Sequence, residues 1–147
     1  MNSFMAGIMQ RINEITLFLN PVRESYKRLG NMQAPGYISW SEHNRSQLIR
    51  IPAVRSQNRR FELRSPDAMA NPYLSFALVI EAGLEGVEKG LMLPPPVNEN
   101  LYVSAPEVRQ GLTRLPADFE EAVQFAKRSE FVRRLLPDGY LGAYCRR

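Results

Sequence analysis

The stretch Arg60-Phe61-Glu62-Leu63-Arg64 decides how this chain is read. It lies between Ser46-Gln47-Leu48-Ile49-Arg50-Ile51-Pro52 and Asn71-Pro72-Tyr73-Leu74. Successive side chains of a strand leave opposite faces, so Arg60, Glu62 and Arg64 point one way and Phe61 and Leu63 the other. The apolar pair is expected to bury against a core while the charged triplet lines a cleft. Arginines hold phosphate or carboxylate through paired hydrogen bonds, and a glutamate can hold a divalent cation, so the triplet suits polyphosphate chemistry. The plainer alternative is a solvated ladder with cross-strand ion pairs, such as Arg50 with Glu62, which stabilises little.

Working outward, Tyr37 to Ser41, Leu48 to Pro52 and Arg60 to Ser65 read as short strands joined by polar connections. Phe4, Ile8, Ile12 and Ile15 recur at helical spacing, which predicts an amphipathic helix from Phe4 to about Phe18, ended by Asn20-Pro21. Val22 to Gly36 is expected to be loop. Asn71-Pro72 is a helix start, with Asn as cap and Pro in the first turn, and Gly90 is a terminator after about Lys89. The early half of that helix is apolar nearly all round, which predicts burial. Gly83 and Gly86 inside it are tolerable where another backbone packs closely. Leu93-Pro94-Pro95-Pro96 opens an irregular stretch to about Leu115. Phe119, Ala122, Val123 and Ala126 mark another helix, and Ser129 caps a short one holding Phe131 and Leu135. The expected architecture is α+β in a single domain over residues 1–147: a small, mainly antiparallel sheet with helices packed on one side and some strand edges unpaired.

With 147 residues, 44% hydrophobic and 23% charged, the chain has the composition of a folded domain. One cysteine, Cys145, excludes an internal disulfide and agrees with a reducing compartment. No apolar run approaches a membrane span, and Arg11 and Glu14 interrupt any signal-like N-terminus, so the expected location is cytoplasmic with no membrane partner. The net charge of +4 is uneven: Arg23 to Arg64 carries nine Lys/Arg and three acidic residues. These arginines are spaced without interleaved aromatics, which argues against nucleic acid and for small anionic ligands. His43, the only histidine, forms no histidine-based triad within one chain and reads as a surface loop residue. Tyr26, Tyr37 and Trp40 read as core or rim aromatics.

Several short motifs together resemble the glutamine synthetase family. They are Ser25-Tyr26-Lys27-Arg28-Leu29, Ala34-Pro35, Asn44-Arg45-Ser46, Ile49-Arg50-Ile51-Pro52, Arg60-Phe61-Glu62-Leu63-Arg64, Asp67, Asn71-Pro72-Tyr73-Leu74, Ala82-Gly83-Leu84-Glu85-Gly86 and Asn100-Leu101-Tyr102. The order and spacing agree with the C-terminal part of that family's catalytic domain, over roughly Phe4 to Phe131. The resemblance implies an ATP-dependent glutamate–ammonia ligase that forms glutamine through γ-glutamyl phosphate, with Mg2+ or Mn2+ and a large homo-oligomer. It assigns Arg28 and Arg64 to glutamate, and Arg45, Arg50 and Arg60 to ATP and the transferring phosphoryl group. Glu62 takes the metal-binding role, and Arg45 and Gln33 the catalytic positions.

This sequence departs from the family pattern at Gln33, where a glutamate commonly stands in Glu-Ala-Pro. A neutral amide neither attracts ammonium strongly nor acts as a base. Gln57 stands where a lysine near the nucleotide is frequent. A γ-glutamyl ligase using an amine instead of ammonia is therefore one alternative, and a non-catalytic anion-binding or interaction domain another. Segments that carry most of the family's metal ligands have no counterpart in this chain, so it is expected to be a fragment of a longer enzyme, inactive alone. Tyr102 matches the loop in which some bacterial members are adenylylated, but the following Val103-Ser104-Ala105 departs from the regulated wording and a packing anchor is expected.

Overall fold

The computed structural model describes residues 1–31, 34–52, 60–137 and 139–146. Among them the elements run α1 (Asn2–Leu19), α2 (Arg23–Tyr26), β1 (Trp40–Ser41), β2 (Ile49–Arg50), β3 (Glu62–Leu63), α3 (Pro72–Glu88), α4 (Pro106–Gln110), α5 (Phe119–Arg128), α6 (Glu130–Leu135) and α7 (Tyr140–Tyr144). They form two compact units. The first comprises Met1–Lys27, Pro66–Pro94 and Pro116–Arg147, and the second Arg28–Ser65 and Pro95–Leu115.

The first unit is built on α1. Met5, Ile8, Ile12 and Ile15 are fully buried, as the helical spacing requires, but so is every residue from Ile15 to Leu19. The last turn is thus enclosed on all sides rather than amphipathic. Each fully buried Ile, Leu or Phe side chain contributes about 1.5–3 kcal/mol relative to exposure. Thr16 avoids an unsatisfied hydroxyl by donating from Oγ1 to the Ile12 carbonyl at 2.7 Å.

Helix α3 crosses α1 at a seam of glycines. A Cβ placed on Gly86 would lie 2.6 Å from the Gly7 Cα, and one on Gly7 would lie 2.8 Å from the Gly86 Cα. A Cβ on Gly83 would overlap the Phe4 ring. The two interior glycines of α3 are unfavourable by about 1 kcal/mol each in helix propensity, but Gly86 lets the backbones touch and Gly83 makes room for the Phe4 ring. Beside the seam, Arg11 grips Glu85 with two parallel bonds, Nε–Oε2 at 2.7 Å and Nη2–Oε1 at 2.8 Å, and reaches Glu14 at 2.8 Å. The start of α3 is set by Asn71, whose Oδ1 accepts from the Tyr73 and Leu74 amides at 3.0 and 3.3 Å. Gly90, at φ 58°, follows its end.

The expected burial of the early half of α3 is not found. Only Leu78, Ala82, Gly83 and Gly86 are buried, while Tyr73, Phe76, Ile80, Leu84 and Val87 form an exposed apolar stripe. The physical reason is that one face suffices for the seam with α1, and nothing among the described residues covers the other.

Two capped helices complete the first unit as expected. Phe119, Ala122, Val123 and Ala126 bury one face of α5, and Ser129 caps α6 by accepting from the Val132 amide at 3.0 Å. Asp118 caps α5 through the Glu121 amide at 2.8 Å. The expected loop from Val22 to Gly36 contains α2, the irregular stretch after Pro94 contains α4, and α7 was not foreseen. All three have four or five residues, too few to show a helical period.

The second unit holds the sheet, in the order β1-β2-β3. The α+β class holds, but the sheet is mixed rather than mainly antiparallel. β1 pairs parallel to β2, with Trp40 opposite Ile49, and β2 pairs antiparallel to β3, with Arg50 opposite Glu62. Parallel neighbours need the chain to double back, and residues 42–48 do so within a short connection. Its turns are fixed locally: Asn44 Oδ1 accepts from the Ser46 amide and hydroxyl at 2.9 Å, and the Asn44 amide donates to Ser41 Oγ at 3.0 Å. The connection is held to residues 98–101 by Asn44 on the Asn98 carbonyl, Gln47 on the Glu99 carbonyl and the Leu101 amide on Ser46 Oγ. Leu48 and Ile49 are fully buried beneath it. Strand β3 is an edge, so the expected clean alternation of Phe61 and Leu63 inside against Glu62 outside is not found: all three are half-buried.

Candidate functional site

The arginines singled out in the sequence, with Glu62, all belong to the second unit. Arg50 and Glu62 occupy opposed positions of β2 and β3, and two arginine nitrogens converge on one carboxylate oxygen: Nε at 2.9 Å and Nη2 at 2.7 Å from Oε2. The pairing reflects strand register, since directly opposed residues share a face. The side chains keep about a fifth (Arg50) and a third (Glu62) of their surface in water.

Arg64, one step past β3, donates from Nη1 to the Arg45 carbonyl at 2.7 Å, while its amide donates to the Leu48 carbonyl at 2.9 Å. Burial lowers the Arg64 pKa from its ordinary value, and nearby Arg50 and Arg45 push the same way against Tyr102 and Glu62. An arginine stays charged through such a shift, so the cluster concentrates fixed positive charge around a single carboxylate. The Arg45 side chain is exposed on the connection between β1 and β2, and its backbone carbonyl accepts from Arg64. Arg60 is exposed just before β3.

Arg28 lies at the other side of this cluster. Its Nη2 donates to the Ser65 carbonyl, so it is bonded to the residue that follows Arg64. The next residue, Leu29, bridges to Ala34. Gly30, at φ 80°, makes the turn between them and donates to the Pro35 carbonyl at 3.1 Å. Gln33 and Gln57 fall outside the described residues.

Tyr102 closes the arrangement. Its hydroxyl donates to the Ala34 carbonyl at 3.0 Å and lies 3.5 Å from the Arg45 carbonyl. Burial raises the Tyr102 pKa, with Arg64 opposing, so the phenol is neutral and remains a donor at physiological pH. Tyr102, expected to be a packing anchor, is half-buried and engaged through its hydroxyl. What the sequence did not single out are the accepting carbonyls of Ala34, Arg45 and Ser65, because a backbone acceptor leaves no residue-type signal.

No three His, Cys, Asp or Glu side chains gather into a metal site among the described residues. Glu62, the one candidate ligand, has Arg50 as its cation. These residues do not by themselves fit a divalent metal. His43 is exposed in the loop, as expected, and Tyr26 is buried edge-on to Phe119 at 6.2 Å in the first unit. Tyr37 lies under the Arg114 guanidinium at 5.7 Å. No helix among the described residues is long and apolar enough to cross a membrane.

Comparison with known proteins decides the family. The glutamine synthetase catalytic domain family matches residues 1–147, the whole chain. The chain belongs to that family. It is 44% identical over 144 residues to a glutamine synthetase of Methanosarcina mazei, covering 96% of this chain and 32% of the relative. It is 39% identical to one of Clostridium saccharobutylicum, with the same shares covered, and 40% identical over 136 residues to one of Staphylococcus aureus, covering 90% of this chain and 30% of the relative. A solved structure described as a GmaS/ADP complex, conformation 1, superposes with a TM-score of 0.82 at 28% identity, over 99% of this chain and 34% of that one. The chain thus spans about a third of the length of the relatives it matches. Its resemblance to glutamine synthetases extends from short motifs to overall sequence and fold.

Proposed function

We propose that this chain forms the arginine-bearing part of an ATP-dependent glutamate–ammonia ligase. The observation that carries the proposal is the convergence of Arg28, Arg45, Arg50 and Arg64 with Glu62 in one unit of a glutamine synthetase family member. In this reading Arg28 and Arg64 hold the carboxylates of glutamate, where planar guanidinium groups give paired bonds. Arg45, Arg50 and Arg60 hold the ATP phosphates and offset the charge that builds on the transferring phosphoryl group. Such a transfer needs fixed positive charge more than covalent help. The γ-carboxylate oxygen attacks the terminal phosphorus, ADP leaves, and ammonia displaces phosphate from the acyl phosphate to give glutamine. The structural relative's description as an ADP complex supports a nucleotide role for this arginine set.

The family uses a divalent metal such as Mg2+ or Mn2+, which screens phosphate charge. The described residues do not hold one alone, and no step here depends on it. The proposed full-length enzyme is a cytoplasmic homo-oligomer. The 147-residue chain by itself is expected to be inactive. The deciding assay is phosphate release by the full-length enzyme with ATP, glutamate and ammonia, each omitted in turn. Release that ignores glutamate removes the ligase reading in favour of simple ATP hydrolysis, and no release under any condition favours a non-catalytic anion-binding domain.

One observation favours a second reading, in which a primary amine replaces ammonia. Gln33 stands where the family commonly has a glutamate, and an amide neither concentrates ammonium nor removes its proton. An amine with its own organic substituent can be held by contacts that ammonium lacks. Running the same assay with ammonia and with ethylamine separates the two.

A further inference from the structure

A closed ring of bonds links the residues proposed to hold glutamate. Arg28 donates to the Ser65 carbonyl, and Ser65 follows Arg64 in the chain. Arg64 donates to the Arg45 carbonyl at 2.7 Å. The Tyr102 hydroxyl lies between that carbonyl, at 3.5 Å, and the Ala34 carbonyl, to which it donates at 3.0 Å. Ala34 bridges to Leu29, the neighbour of Arg28, and the ring is complete.

We propose that Tyr102 is a positioning residue for glutamate binding: its hydroxyl ties the backbone carrying Arg28 to the loop that aims Arg64. This deepens the functional reading above and rests on it. A phenol has one proton, so only one carbonyl receives a full hydrogen bond at a time. The shorter distance makes Ala34 the main acceptor, with the Arg45 carbonyl a weaker partner already engaged by Arg64. The tie is therefore strongest on the Arg28 side. Without it, residues 34–36 keep the Leu115 amide on the Gly36 carbonyl at 3.0 Å and the Gly30 amide on the Pro35 carbonyl. The fold survives, but the spacing of Arg28 and Arg64 is no longer fixed from the Tyr102 side. Paired recognition of a small dicarboxylate depends on that spacing.

The test is Tyr102→Phe, which removes the donor and keeps the ring. In the full-length enzyme the KM for glutamate should rise about fivefold, the worth of one neutral hydrogen bond. The KM for ATP should hold within about twofold by the same reckoning. Amide hydrogen exchange on the 147-residue chain supplies the second readout: Ala34 and Gly30 should exchange faster in the variant, while Ile8, Ile12 and Ala82 of the first unit stay as in wild type. A selective glutamate effect with faster local exchange supports the proposal. Equal rises in both KM values, or faster exchange throughout, overturn it in favour of a purely structural role. Unchanged glutamate KM with faster local exchange also overturns it, leaving a tie without a positioning task. Unchanged exchange at Ala34 shows that the hydroxyl is not the tie. Wild-type enzyme indifferent to glutamate defeats the functional reading and the positioning role with it, while the exchange result still decides whether the bond exists.

Discussion

Arg50 and Glu62 meet across β2 and β3 with both arginine nitrogens on one carboxylate oxygen, at 2.9 and 2.7 Å. Glu62 Oε1 receives neither of these bonds, and the pair is partly solvated. It is therefore a charge arrangement more than a stabilising device. Partly exposed ion pairs contribute about 0–1 kcal/mol.

Replacing Arg50 by Gln separates these contributions. The thermal stability of the chain should change by less than about 1 kcal/mol. In the full-length enzyme the KM for ATP should rise about tenfold or more, the worth of a charge-assisted bond to phosphate. A stability loss without a nucleotide effect would make Arg50 a structural residue.

Gln33→Glu in the full-length enzyme should raise ammonia-dependent turnover relative to amine-dependent turnover, by several-fold. The added carboxylate attracts ammonium and accepts its proton. An unchanged ratio of the two rates would show that Gln33 does not select the acceptor.

The Arg11–Glu85 pair gives the chain an acid-sensitive component. The hydrogen bond from Arg11, aided by Lys89, holds the Glu85 pKa down at about 2 from 4.5, against the opposing effect of burial. A carboxylate depressed by folding stabilises fully above its unfolded pKa, and the gain is lost as pH falls through the folded value. Glu85→Gln should therefore destabilise the chain by about 2 kcal/mol at pH 7. Urea titrations at pH 7 and near pH 2.5 should show the difference between the two proteins shrinking in acid. A difference constant across that window would contradict the assignment.

The glycine seam is tested by contrast. Gly86→Ala puts a methyl into the Gly7 backbone and should lose about 2–3 kcal/mol or prevent folding. Gly111→Ala, with helical backbone angles and nothing within 4 Å, should change stability by no more than about 1 kcal/mol. Thermal melts of both variants decide it.

Helices α3 and α6 were legible because their starts carry capping side chains, Asn71 and Ser129, which accept amides, and Gly90 takes a positive φ after α3. Gly86 announced the close approach of a second backbone, whereas Gly83 makes room for the Phe4 ring instead. The exposure of α3 was not legible, since an apolar helix states that it needs a cover but not whether this chain provides one. The parallel pairing of β1 and β2 was hidden as well, because it depends on side-chain bonds within residues 42–48 rather than on strand pattern. In the site, the opposition of Arg50 and Glu62 followed from alternation and register. The bond from Tyr102 to Ala34 spans 68 residues and ends on a carbonyl, so no residue pattern encodes it.

The bare face of α3 also governs how the isolated chain behaves in a tube. Tyr73 and Phe76 are 86% and 67% exposed, with Ile80, Leu84 and Val87 continuing the same stripe. Apolar surface left in water binds hydrophobic dyes and is driven together by sulfate, which strengthens burial. Anilinonaphthalene sulfonate should fluoresce with the fully folded chain, and ammonium sulfate should precipitate it early. Substituting Phe76 and Ile80 by Glu should quiet both effects without loosening the helix, because neither side chain belongs to the seam with α1.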